Sequence, residues 1–248
     1  MDNGYHYVYP ICQIYNGEIC AVQKSGNMFV AKVFNLSRKN TRQAAYYELR
    51  LMLLCNHQNV VRAVNFFQDD DFACIVMPKY RECDIYEYLM ENENKLLNFI
   101  TDVSAGLQYL HQLHIIHRDL NPSNIFVDQN GHFVIGDLGS AQLCHRNNNN
   151  EYVAQVMVGS APFRAPEMLN TTYSFCVDLW NFGLMIHELV HGQFPFEFET
   201  EAEFLYLLKH FEYQPESRNN LIDDLIWTLL NKNPCKRYEY TKVVAKLQ

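Results

Sequence analysis

Ile115-Ile116-His117-Arg118-Asp119-Leu120-Asn121-Pro122-Ser123-Asn124, followed by Ile135-Gly136-Asp137-Leu138-Gly139, decides how this chain is read. Asp119 is a carboxylate suited to orient a hydroxyl. Asn124 lies five residues on, and Asp137, a second carboxylate, thirteen beyond that. Amide and carboxylate oxygens are hard donors of the kind that hold Mg²⁺ against phosphate. Together these are the parts that phosphoryl transfer needs, a reaction in which the protein mostly positions groups and neutralises charge. A lone His-Arg-Asp would carry little weight, because Arg beside Asp usually marks a solvated surface. The spaced Asp, Asn, Asp-Leu-Gly set is far more specific.

The chain around this segment has 248 residues, enough for one large core or two smaller lobes. Its 48% apolar and 14% aromatic content is that of a globular protein. Twenty Lys and Arg against 28 Asp and Glu give a net charge of −8, with no long basic run. Nucleic acid and anionic membrane are therefore not expected partners, and a basic peptide fits better. The eight cysteines are scattered without a Cys-x-x-Cys pair, as free thiols in a reducing compartment are. No apolar run has the length of a membrane span, and the first residues carry no signal-peptide pattern. An intracellular chain, in cytoplasm or nucleus, is expected.

The first third reads as strands around one helix. Residues 18–22 and 28–34 are rich in β-branched and apolar types, and Lys24-Ser25-Gly26-Asn27 between them is hairpin chemistry. Residues 41–55 turn helical, with Ala45, Leu49, Met52 and Leu53 on one face. Strands are expected at 60–67 and 72–77. After Pro78 helical patterns dominate, at 84–90, 96–113, 176–191, 202–211, 221–230 and 240–247. This predicts an α+β, bilobal chain: a small β-rich lobe over 1–77, a hinge at 78–82, and a larger helical lobe over 83–248. The asparagine run at 147–150 reads as a loop.

These motifs resemble those of eukaryotic-type Ser/Thr protein kinases over nearly the whole chain. The resemblance implies Mg²⁺ and ATP as cofactors and a protein substrate. It casts Asp119 as catalytic base and Asn124 and Asp137 as metal ligands. Lys32 would hold the phosphates, paired by Glu48 sixteen residues on. Ile11, Gly17, Ile19, Val30 and Phe126 would line the nucleotide pocket. Met77 would stand behind the adenine, with Pro78 C=O and Tyr80 N–H reading its edge. Gly159-Ser160-Ala161-Pro162-Phe163-Arg164-Ala165-Pro166-Glu167 resembles the end of a kinase activation segment, which small-molecule phosphotransferases of related fold lack. Glu167 would pair Arg237, Asp178 would brace the loop around Asp119, and Ser160 would hydrogen-bond the base, favouring Ser/Thr acceptors. The run from Val76 to Tyr86 is also similar to alphaherpesvirus-type kinases.

Three features depart from the family pattern or bear on control. Cys12 and Ile14 stand where the phosphate-covering loop usually has glycine, leaving only Gly17, so a stiffer loop and weaker ATP binding are expected. Asn121 stands where a lysine usually meets the transferring phosphate. Losing one stabiliser of that kind costs on the order of 10²–10³ in rate. A nucleotide-binding scaffold, a pseudokinase, therefore stands as the alternative to an active enzyme. Finally, no Ser or Thr lies between Ala141 and Gly159, and Tyr152 is the only hydroxyl there. Arg118 thus has no phosphoserine or phosphothreonine to pair with, and activity without loop phosphorylation, or control through Tyr152, is expected.

Overall fold

The computed structural model describes residues 4–147, 151–155, 157–170, 172–215 and 220–247. The asparagine run beyond Asn147 lies outside them. The first third forms a five-stranded antiparallel sheet from β1 (His6–Ile14), β2 (Gly17–Lys24), β3 (Asn27–Asn35), β4 (Asn65–Gln68) and β5 (Phe72–Pro78), in the order β1-β2-β3-β5-β4. Between β2 and β3 both Ser25 and Gly26 have positive φ, at 50° and 81°, as a tight hairpin turn requires. Helix α1 (Thr41–Leu54) packs on β3 and β5.

The sheet has two faces with different destinations. Directly opposed residues share a face, and faces alternate along each strand. Pairings Val30–Met77, Lys32–Ile75 and Ile19–Lys32 place Ile19, Val30, Lys32 and Met77 on one face. The intervening Cys20, Val22, Ala31, Cys74 and Val76 form a separate small core on the other. The main core begins under α1 and continues without a break into the helical lobe.

Two expectations for this lobe need correction. The strand expected at 60–67 is only Asn65–Gln68; Val60 makes a single parallel bridge to Ile135, and Val61 N–H donates to Ile135 C=O at 2.8 Å. Val60 and Val61 are apolar because they plug the joint between lobes, not because they extend the sheet. Conversely, the segment expected as a phosphate-covering loop is mostly ladder, with Cys12 opposite Ile19 and Ile14 opposite Gly17, and only Tyr15 and Asn16 turn the chain. Gly17 survives for a packing reason. A Cβ there would lie 1.9 Å from Val33 C=O.

The rest is helical around α4 (Cys176–His191). Every residue of α4 from Cys176 to His187 is buried, so this helix is the lobe's central post. Helix α2 (Ile85–Glu91) is capped by Asp84, which accepts from Tyr86 and Glu87 N–H. Helix α3 (Leu96–Gln112) packs on two short ribbons, β6 (Ile115–Ile116) with β9 (Gln142–Leu143) and β7 (Ile125–Val127) with β8 (Phe133–Ile135). A third ribbon pairs β10 (His145–Arg146) with β11 (Tyr152–Val153). A capping box from Thr200 and Glu203 starts α5 (Glu201–His210). The chain closes with α6 (Leu221–Leu229), the short α7 (Pro234–Arg237) and α8 (Tyr240–Leu247). Among the described residues no helix is long and apolar enough to cross a membrane.

Arg237 ties the segment after Ser160 into this helical core. Its guanidinium, fully buried, forks onto Glu167 at 2.5 and 3.0 Å, donates to Cys176 and Asn231 C=O, and lies 4.9 Å from the Trp180 ring centroid. Removing one partner of such a pair leaves a buried, uncompensated charge. Arg237→Met should lower unfolding free energy by about 3–5 kcal/mol, read as an earlier urea midpoint at unchanged slope. A loss below about 1 kcal/mol would show that the pair is solvated in solution.

Candidate active site

The loop at 117–124 and the turn at 137–140 face the sheet surface carrying Lys32. Lys32 Nζ lies 2.8 Å from Glu48 Oε1 on α1 and 2.7 Å from Asp137 Oδ1, so one ammonium joins both lobes. Burial alone would pull the lysine down, but the two carboxylates outweigh it and hold it above its ordinary value. Burial pushes Glu48 up, against the opposing pull of Lys32. For Asp137 burial also pushes upward. The charge and hydrogen bond of Lys32, with the Gly139 N–H, outweigh it, and the carboxyl sits below its ordinary range. Leu138 is fully buried, and its turn packs on α1.

Asp119 is held by one oxygen. Its Oδ1 accepts from Ser160 N–H and Oγ at 2.9 Å each and from Asn121 Nδ2 at 3.0 Å, while Oδ2 has no partner among the described residues. Gly159 makes this approach possible: its φ is 84°, and a Cβ there would clash, 2.3 Å from Arg118 C=O. Asn121 is buried and fully engaged. Its Nδ2 also donates to Asp119 C=O, and its Oδ1 caps the turn at 122–124 by accepting Ser123 N–H at 3.1 Å and Ser123 Oγ–H at 2.6 Å. Asn124 Nδ2 donates to Asp119 C=O at 2.8 Å, and Asn124 Oδ1 has no donor among the described residues. Asp137 Oδ2 likewise has no partner among the described residues. Two hard oxygens thus remain available at the site, as a divalent cation shared with phosphate requires.

Beneath the loop sits Asp178, on α4 and fully buried. Its Oδ2 accepts from His117 N–H and His111 Nε2, and its Oδ1 from Arg118 N–H, all at 2.9 Å. These bonds hold Arg118 at φ 68°, a left-handed conformation that a non-glycine residue adopts only when its surroundings impose it. His117 is buried too, its Nε2 2.7 Å from Gly136 C=O. Among the described residues the Arg118 guanidinium is occupied by neutral acceptors. It donates to Ser140 C=O at 2.7 Å, Gln142 Oε1 at 2.6 Å and Gln155 C=O at 3.3 Å, and Tyr173 hydroxyl bonds it as well. Tyr152 stacks on His114 with centroids 3.8 Å apart and lies under Arg146, away from these contacts.

Along the cleft, Tyr80 stacks on Phe126 at 5.1 Å. Tyr80 N–H has no acceptor among the described residues, while the next amide, Arg81 N–H, bonds Val127 C=O. Ile11 sits at a β1 irregularity and is half-exposed; Pro78 ends β5 opposite Phe29. Sequence reading missed His111, His117 and Gln142. His117 was visible beside Asp119, but His111 and Gln142 reach their partners only through folding. Also missed was a clasp in which Tyr9 on β1 hydrogen-bonds both Glu82 and Lys79 of the hinge segment, at 2.5 and 2.6 Å.

An interlobe ammonium shared by two carboxylates, a one-sided carboxylate and two free hard oxygens define a phosphotransferase-type cleft. Comparison with known proteins agrees. The protein kinase domain family matches residues 16–247, and the chain belongs to that family. It is 32% identical to G protein-coupled receptor kinase 1 of Caenorhabditis briggsae over 197 residues, covering 75% of this chain and 30% of that protein. Identity is 27% to the cell cycle serine/threonine-protein kinase CDC5/MSD2 of Saccharomyces cerevisiae, covering 89% and 33%. It is 28% to serine/threonine-protein kinase 32C of Mus musculus, covering 90% and 49%. The chain spans less than half the length of these relatives. Members of the family use ATP and a divalent metal.

Asp178 should dominate the acid limb of stability. Burial pushes its carboxyl up, but the hydrogen bond and charge of His111, the His117 charge and the backbone N–H outweigh it and hold it below the ordinary carboxylate range. A carboxyl lowered on folding adds stability that is complete above its unfolded value. That stability is lost as pH falls through the folded value. Asp178→Asn should be less stable near neutrality yet lose less between about pH 5 and pH 3 than the wild type, read as urea midpoints across that range. Parallel pH curves would mean that other carboxylates carry the acid limb.

Proposed function

We propose that this chain transfers the γ-phosphoryl group of ATP to serine or threonine hydroxyls of protein substrates. The observation that carries this is the one-sided Asp119. Three donors fix Oδ1 and set the plane of the carboxylate, so Oδ2 is the oxygen presented to an incoming hydroxyl. As the acceptor oxygen bonds to the γ-phosphorus, the bond to the β-phosphate oxygen breaks and ADP leaves. The hydroxyl proton passes to Asp119. Ser160, whose hydroxyl is bound to the same carboxylate, supports serine or threonine as acceptor.

In this reading Asn124 and Asp137 hold Mg²⁺, which neutralises phosphate charge when bound. Lys32, steadied by Glu48, takes the phosphates. Ile19, Val30 and Met77 give the sheet face on which adenine lies, with Ile11, Gly17 and Phe126 around it and Tyr80 N–H and Pro78 C=O at its edge. Asn121 replaces charge with geometry: it orients the base and caps the turn. That same residue favours the second reading, a nucleotide-binding scaffold, since it brings no cation to the transferring phosphate.

Asp119→Asn should abolish Mg-dependent transfer from radiolabelled ATP while nucleotide affinity stays within about twofold. A wild-type chain without transfer establishes the scaffold. Lys32→Met and Glu48→Gln should each reduce transfer strongly, and the double variant little further, because the two act as one unit. Fully additive losses would mean that the pair does not form in the working enzyme.

Arg118 makes a separate prediction. With its guanidinium held by Gln142 and three other neutral acceptors, phosphatase treatment should leave activity intact, and Gln142→Ala should lower kcat about 10-fold by loosening the segment. Activity that disappears with phosphatase and returns with Tyr152 phosphorylation would place control at Tyr152 instead.

A further inference from the structure

Strand β1 is an edge strand paired with β2 alone, and its register shifts twice, between Tyr7 and Tyr9 and between Pro10 and Cys12. Seven of its nine residues are exposed, so little packing holds it down; only Tyr9 and Ile14 are partly buried. Ile14 is beside the hairpin tip, opposite Gly17. Tyr9 is in the first half of the strand, where its ring meets the hinge segment. Its place in the sheet gives the side chain a direction. Tyr9 opposes Ala21, Ala21 opposes Val30, and Val30 opposes Met77. Opposed residues share a face, so Tyr9 belongs to the surface that carries Ile19, Val30, Lys32 and Met77. It ends that row at the outer margin of the sheet.

The Tyr9 hydroxyl donates to Glu82 Oε1 at 2.5 Å and accepts from Lys79 Nζ at 2.6 Å. The same ammonium lies 2.8 Å from Glu82 Oε1 and 5.3 Å from the Tyr9 ring centroid. Three side chains thus close a triangle in which the hydroxyl is used as both donor and acceptor. Lys79 and Glu82 stand on either side of Tyr80 and Arg81, and the hinge segment they belong to is itself fixed. Arg81 N–H donates to Val127 C=O at 2.8 Å, and its guanidinium donates to Asp128 and Gln129 C=O at 2.9 and 2.7 Å. Arg81 therefore binds the hinge segment to the larger lobe, and Tyr9 binds β1 to the hinge segment. A side chain that runs from the margin of the sheet face to the hinge closes the outer side of the space between them.

We propose that Tyr9 is a positioning residue for the nucleotide: clasped to Lys79 and Glu82, it closes the outer side of the adenine site and sets the rate at which nucleotide leaves. The proposal rests on nucleotide binding at the sheet face, which the kinase and scaffold readings share, and not on transfer itself. Glu82 is mostly exposed, and contacts of exposed charges are individually weak because water and salt compete for each partner. Such a clasp opens often. It changes a rate several-fold and does not trap the nucleotide. Contacts that form around a bound ligand act mainly on its departure, so release is the step to measure.

The test uses the full chain and ADP labelled on its ribose with an N-methylanthraniloyl group. The labelled ADP is bound with Mg²⁺, and its release is followed by stopped-flow fluorescence after a chase of unlabelled ADP. Tyr9→Phe keeps the ring and removes the hydroxyl, and Glu82→Ala removes its acceptor. Each should speed release about fivefold while association stays within about twofold. The double variant should release no faster than the faster single one, because both changes open the same clasp. Added salt should speed release from the wild type more than from Tyr9→Phe. Tyr9→Phe should also raise KM for ATP by a larger factor than it changes kcat. Release at the wild-type rate from both variants overturns the proposal, and so do fully additive effects. Slowed association together with a lowered Tm also overturns it, by showing that β1 has loosened as a whole. If release quickens as expected but the wild type phosphorylates no protein, the clasp stands and the kinase reading fails. If proteins are phosphorylated and release ignores Tyr9, the kinase reading stands and the clasp fails. A wild type that binds no nucleotide overturns both.

Discussion

Asp178 is a charge with no access to water, and the working geometry depends on keeping it charged. A buried carboxylate is tolerated only when donors surround it. Here the donors are two backbone amides of the loop that carries Asp119 and one histidine from α3. Satisfying the carboxylate and shaping the loop are therefore the same event. The left-handed backbone at Arg118 follows from it, because both amides can point into α4 only if the chain reverses there. Arg118 then emerges toward Ser140, Gln142 and Gln155, and Asp119 toward Ser160. The buried post α4 supplies both this anchor and, through Cys176 C=O, a contact to the Arg237 that holds Glu167. One helix thus anchors the loop that carries Asp119 and, through Arg237, Glu167 as well.

What the sequence made legible was chemistry at fixed spacing. Asp119, Asn124 and Asp137 could be read because each is short-range punctuation in a recognisable string. Long helices could be read from their periodicity, as with 96–113 against the observed Leu96–Gln112. Strand β1 could not, because nearly all of its residues are exposed and no alternation marks it. It pairs at the sheet edge, where Pro10 is tolerated because one side of the strand needs no donor. Residues 60–67 misled for the opposite reason: apolar side chains that fill a joint look like those that fill a sheet.

Gln142 and His111 were invisible for a deeper reason. Each matters only through a partner brought close by the whole fold, Gln142 to Arg118 and His111 to Asp178 across 67 positions of sequence. A neutral amide is also an ordinary surface residue until it is found accepting from a guanidinium. The Tyr9 clasp on Glu82 spans 73 positions and is equally silent in one dimension. Sequence exposes groups whose chemistry is intrinsic; groups whose role is to hold others are exposed by geometry.

The departures at the phosphate end form one pattern. Cys12 and Ile14 extend the β1–β2 ladder to a two-residue tip, and that tip is tied back by Asn35 N–H to Asn16 C=O at 2.7 Å and Thr41 Oγ1 to Asn16 Oδ1 at 3.2 Å. Flexible backbone amides that could close on phosphate are thereby exchanged for a pre-formed strand end. Asn121 makes a parallel exchange, giving up a mobile ammonium for an amide locked between Asp119 and Ser123. The Arg118 guanidinium is likewise held by neutral acceptors. Each exchange trades adjustable charge for fixed geometry. A fixed site loses electrostatic strength at the transferring group but spends less on reorganising before the reaction. It follows that this chain should depend more heavily on Lys32 and Asp137 than relatives with glycine-rich loops do, because those are the charges its architecture leaves in place.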